Sequence, residues 1–124
     1  LHLCDRRQRQ MCIRDRYKNH AINSKNMNTV KSVILDISGG GIRFSLSTPL
    51  EEGTYFMAQF SLALEECTQQ FNIVCKVINC TQSLDYADRY FARSKFIFDR
   101  MTEREKIVRF VFEEERRIRR REME

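Results

Sequence analysis

Between residues 30 and 98 apolar side chains recur at every second position in a series of short runs, and at Thr102 that period gives way to a helical one. A period of two commits a segment to a half-buried strand, and a period of 3.6 to an amphipathic helix. The first run, residues 30–37, is rich in β-branched residues. Ser38-Gly39-Gly40-Gly41 is a strong turn signal, and Ile42-Arg43-Phe44-Ser45-Leu46 alternates again. The two runs predict a hairpin-like pair around a glycine turn. Pro49 and Gly53 bracket a loop. Residues 55–64 then put Phe56, Ala58, Phe60 and Leu62 on one face. Residues 71–78 do the same with Phe71, Ile73, Cys75 and Val77, and residues 90–98 with Phe96 and Phe98. Short strands at this spacing predict a mainly β fold, a barrel or a sandwich.

The final segment reads as one helix over residues 102–121. Thr102-Glu103-Arg104-Glu105 fits a capping box, in which Thr and Glu satisfy each other's free backbone N–H groups. Ile107, Val108, Val111, Phe112 and Ile118 lie mostly on one helical face. Acids start the helix at Glu103 and Glu105, and Arg116, Arg117, Arg119, Arg120 and Arg121 end it, which suits the helix dipole. Burial of Ile107, Val111 and Phe112 against the strands is expected, with residues 119–121 left in water.

Composition narrows the function classes. At 124 residues and 42% hydrophobic, the chain suits one packed domain. No apolar run approaches the roughly 20 residues of a membrane span, and residues 1–5 do not open a signal peptide. The five cysteines, Cys4, Cys12, Cys67, Cys75 and Cys80, are odd in number and form no Cys-x-x-Cys. Only His2 and His20 could join them on a metal. Neither a disulfide framework nor a zinc site is expected, and a reducing cytoplasm is. The net charge of +5 comes entirely from residues 1–26, where seven Lys/Arg face two Asp. A charge excess confined to one end argues against a nucleic-acid partner. An enzyme is not expected either. No nucleophile–base pair stands out, no histidine follows residue 20, and Asp85 and Asp88 lie in a polar loop where solvation accounts for them.

Residues 11–16, Met-Cys-Ile-Arg-Asp-Arg, resemble a frame translation of the transposase end sequence used to prepare DNA sequencing libraries. On that reading residues 1–16 are a sequencing or assembly artefact, or a damaged N-terminal segment. The domain proper then spans residues 17–124, with the barrel ending near residue 98 and the helix covering about 102–121.

The segment with most chemistry is Asp36-Ile37-Ser38-Gly39-Gly40-Gly41. On its own it suits a glycine-rich β-turn closed by side-chain-to-backbone bonds from Asp36 and Ser38. It also fits the pattern Asp/Asn-x-Ser-x-x-Gly of the PilZ domain family, and Ile42-Arg43-Phe44 resembles that family's next strand. Residues 96–98 and 105–112, with the arginine-rich end, are similar to the final strand and helix of flagellar-brake-like members. The resemblance covers about residues 28–121. It implies a small cytoplasmic antiparallel β-barrel followed by one C-terminal α-helix. It implies no cofactor, and as ligand the bacterial second messenger cyclic di-GMP. The ligand-binding residues would be Asp36, Ser38, Gly39, Gly40 and Gly41. The role would be that of an effector regulating motility, with the flagellar motor or another protein as target.

The family also grips the ligand's phosphates and guanine edge with an Arg-x-x-x-Arg motif. None occurs within residues 1–27. Arg6-Arg7-Gln8-Arg9-Gln10 resembles its beginning, but the position four after Arg7 is Met11. Arg14 has Lys18 four residues on, and lysine lacks the planar fork. Arg6 and Arg7 are thus the candidate phosphate and guanine contacts, and an arginine at position 11 the expected repair. The alternative is a degenerate, ligand-free PilZ domain that serves as a protein-interaction module.

Overall fold

A computed structural model describes residues 9–17 and 29–123. Each run of alternating residues forms a strand: β2 (Val30–Ile37), β3 (Gly41–Leu46), β4 (Tyr55–Ala63), β5 (Thr68–Gln82) and β6 (Tyr90–Ile97). They are preceded by β1 (Arg9–Tyr17) and followed by the helix α1 (Met101–Met123). All pairings are antiparallel, and the order β1-β2-β3-β6-β5-β4 closes through the β1–β4 pair into a barrel. The expectation of a mainly β barrel with one C-terminal helix therefore holds.

β1 runs across the expected domain boundary at residue 17. β1 includes residues 9–16, and it is the strand that closes the barrel, paired with β2 on one side and β4 on the other. Met11 and Ile13 point inward and are 1% and 0% exposed. Whatever its origin, this segment sets Met11 and Ile13 two apart on one face, with Cys12 and Arg14 on the other, and that spacing suits a half-buried strand. β5 is also longer than the run of residues 71–78. Its polar ends pair with β4 and β6, so ladder hydrogen bonds rather than side-chain pattern hold them.

Inward-facing positions from all six strands fill the barrel, and burial of this apolar surface is the main stabilising force. Phe44 meets Phe56 edge-on, with centroids 5.6 Å apart, and Phe60 stacks between Phe71 at 5.4 Å and Phe96 at 6.2 Å.

The β2–β3 turn, the β4–β5 turn and the end of β6 share one end of the barrel, as the strand registers require. Helix α1 crosses this end. Ile107 and Phe110 are fully buried and join the core. Val111 packs partly buried beside them, and residues 119–121 are exposed as expected. Phe112, expected from the sequence to be buried, is instead 59% exposed. At 3.6 residues per turn, Ile107, Phe110, Val111 and Glu114 form one stripe and Phe112 falls on the other side. The helix also begins at Met101, so Thr102 lies inside the first turn rather than at the cap. Two acids are tied down instead. Glu113 accepts a hydrogen bond from Arg109 Nε at 3.1 Å and one from the Glu65 backbone N–H at 3.1 Å, fastening α1 to the β4–β5 turn. Glu114 pairs with Arg117 at 2.8 Å.

Candidate functional site

The β2–β3 turn is held from three directions. The Ser38 N–H donates to the Gly41 carbonyl at 2.9 Å, closing the turn. The Phe96 N–H of β6 donates to the Gly40 carbonyl at 2.9 Å. The Ser38 hydroxyl accepts from the N–H groups of Gly40 and Gly41 and donates to the Gly41 carbonyl, each at 3.3 Å. Gly41 lies flat against β6, so a Cβ there would collide with the Ser94 carbonyl oxygen. Glycine is required for this close approach, not for a positive φ; among the described glycines only Gly53 has one.

Asp36 sits just before the turn. A register irregularity between Ile34 and Asp36 brings it opposite Arg43 on β3. Its Oδ2 accepts from Arg43 Nε at 2.8 Å and lies 2.6 Å from a terminal guanidinium nitrogen. Both side chains remain partly accessible, Asp36 at 29% and Arg43 at 42%. Of the turn-closing roles that sequence suggested for Asp36 and Ser38, the serine performs its own, whereas the aspartate pairs with an arginine.

Beside this pair a cleft of about 630 Å³ opens on the outer face of the barrel. Asp36, Ser38, Gly40 and Gly41 line it together, joined by Arg43, Ile78, Arg93, Ser94 and Lys95. Gly39 does not line it. It faces the helix instead, where an added Cβ would stand 2.9 Å from a methyl of Val108. Arg6 and Arg7 lie outside the described residues. Arg43, Arg93 and Lys95 escaped sequence reasoning. Their polar positions in alternating runs mark them as outward-facing, but only the β3–β6 pairing shows that they share a site. Among the described residues no group of His, Cys, Asp or Glu could hold a metal ion.

The PilZ domain profile matches residues 6–113, which contain all six strands and half of the helix. The chain belongs to the PilZ domain family. Solved structures agree on the fold. YcgR from Escherichia coli, crystallised with cyclic di-GMP, superposes with a TM-score of 0.66 at 19% identity, covering 91% of this chain and 44% of that one. The isolated YcgR PilZ domain with cyclic di-GMP gives 0.64 at 19% identity, covering 94% and 88%. The K. pneumonia MrkH–cyclic di-GMP complex gives 0.68 at 16% identity, covering 98% and 52%. This chain thus spans about half the length of full YcgR and MrkH, and matches the PilZ part of YcgR almost throughout. No curated protein matches it significantly in sequence. No helix among the described residues is long and apolar enough to cross a membrane.

Proposed function

We propose that the chain is a cyclic di-GMP receptor domain and that the cleft beside the β2–β3 turn is its ligand site. One observation carries this reading. Asp36, Ser38 and Gly41, the three defining positions of the PilZ pattern, line a single open cleft together with Arg43. Guanine presents N1–H and an amino group as donors, and O6 and N7 as acceptors. A carboxylate paired with a guanidinium offers the complementary set, acceptors on Asp36 and donors on Arg43. Cyclic di-GMP complexes of YcgR and MrkH, two proteins of the same fold, support the choice of ligand.

The likeness of the C-terminal strand and helix to flagellar-brake members supports a cytoplasmic role in motility. The second reading, a ligand-free interaction module, draws support from Phe112, exposed on the outer face of α1 among Arg104, Arg109 and Arg116. Calorimetric titration separates the two. Cyclic di-GMP is expected to bind and cyclic di-AMP to bind far less, because adenine has no N1–H to donate and turns an amine toward the arginine. Asp36→Ala should weaken binding more than Ser38→Ala, which removes only 3.3 Å bonds within the turn. Absence of heat with about 100 μM cyclic di-GMP, well above a micromolar Kd, would leave the interaction-module reading.

A further inference from the structure

The far wall of the cleft is the outer face of β6, and it carries charge that the fold does not use. Ala92, Ser94 and Phe96 face the core, so Arg93 and Lys95 face out into the cleft. The strand register then sets like charges against each other. Arg93 stands opposite Arg43 on β3, and Lys95 stands opposite Lys76 on β5. Like charges directly opposed across antiparallel strands destabilise the sheet. Asp36, the one acid among the described residues that line the cleft, is paired with Arg43, and neither Arg93 nor Lys95 forms an ion pair among the described residues. Both side chains are exposed, so packing does not demand them. Two unopposed cations on a sheet they destabilise are the electrostatic complement of a doubly charged anion. Outward residues two apart on one strand stand about 7 Å apart, far enough to contact one phosphate each. Ile78, bulged out of the β5–β6 ladder and 52% exposed, adds an apolar surface at the same place.

We propose that Arg93 and Lys95 bind the two phosphates of the cyclic dinucleotide, so that phosphate recognition is built partly on β6 rather than on N-terminal arginines alone. This rests on the reading of the cleft as a cyclic di-GMP site. The test is calorimetric titration of the full chain and its Arg93→Ala, Lys95→Ala, double, Arg93→Lys and Asp36→Ala variants with cyclic di-GMP, at low and high salt. Inorganic pyrophosphate serves in parallel as an anion without a base. Each single alanine variant should lose about tenfold in affinity and the double variant about a hundredfold. Arg93→Lys should recover part of the loss. The double variant should also show a weaker salt dependence. Its thermal midpoint should equal or exceed the parent's, because a repulsion has gone. Pyrophosphate should bind the parent and the Asp36→Ala variant but not the double variant. Equal cyclic di-GMP binding by parent and double variant overturns the inference and leaves the receptor reading intact. Pyrophosphate binding that depends on Arg93 and Lys95, without cyclic di-GMP binding, keeps the anion wall and overturns the receptor reading. Binding of neither overturns both.

Discussion

At Gly41 an added methyl meets the Ser94 carbonyl oxygen, a backbone atom that cannot swing away, whereas at Gly40 it meets nothing within 4 Å. The two neighbouring glycines therefore differ in kind. Gly41→Ala should cost about 1–3 kcal/mol, the usual penalty of overpacking, while Gly40→Ala should fall within about 0.5 kcal/mol of the parent. Denaturant titration of both variants checks this, and equal midpoints would show that β6 does not press on the turn. Cys75 makes a second residue-scale prediction. It is fully buried, and burial drives its thiol pKa far above the ordinary value of 9.0. Below pH 9.0 the thiol is protonated in both folded and unfolded chains, so stability is unaffected. Above it the unfolded chain releases this proton and the folded one holds it. Stability should then decline with rising pH, by up to about 1.4 kcal/mol per unit from this group. Comparing the pH-dependence of unfolding in Cys75→Val and parent isolates the contribution. Exposed Cys67 should meanwhile react with thiol reagents long before Cys75 does.

Helix α1 meets the β2–β3 turn at Gly39 and Val108 and the β4–β5 turn at Glu65 and Glu113. It is thus anchored to the loop that borders the cleft as well as to the core. Phe110→Ala should cost about 3–5 kcal/mol, the range for emptying a buried aromatic site. Phe112→Ala should change stability by less than about 0.5 kcal/mol, as at most exposed positions. Thermal melts of the pair check which face packs inward, and the reverse ranking would mean the helix is rotated. Helical spacing marked residues 107, 108, 111, 112 and 118 as a loose apolar face. It put Phe112 on that face and passed over Phe110, about 160° away around the axis. The barrel end reversed that assignment, and placed the charged Glu113 and Glu114 on the packed side, where Arg109, Arg117 and the Glu65 N–H satisfy them.

For the whole molecule, closure of the barrel depends on β1. An arginine at position 11, which the incomplete Arg-x-x-x-Arg motif invites, would place its charge where Met11 is 1% exposed among core side chains. An unpaired buried charge costs several kcal/mol, a large share of the 5–15 kcal/mol that typically holds a domain folded. Met11→Arg should therefore lower the melting temperature sharply instead of restoring a phosphate clamp, and circular dichroism melts would show it. An unchanged melt would mean that β1 does not close the barrel in solution. Resequencing the source gene across codons 1–20 tests the separate expectation that residues 1–16 are non-native.

The sequence by itself determined β2 to β6 and the helix, because alternation and helical period are local properties of the chain, whereas β1 was passed over with residues 1–16. It also marked the turn at Ser38 and Gly41, because few residue types suit a tight glycine turn with a hydroxyl to close it. It did not determine which strands are neighbours. That β3 lies against β6 is a tertiary fact, and only that pairing brings Arg93 and Lys95 to Asp36 and explains why Gly41 admits no side chain. The same holds for Asp36 and Arg43. Seven residues apart in sequence, they meet because a register irregularity in β2 places them opposite each other. Periodicity says which way a side chain points, but only strand order and register say what it points at.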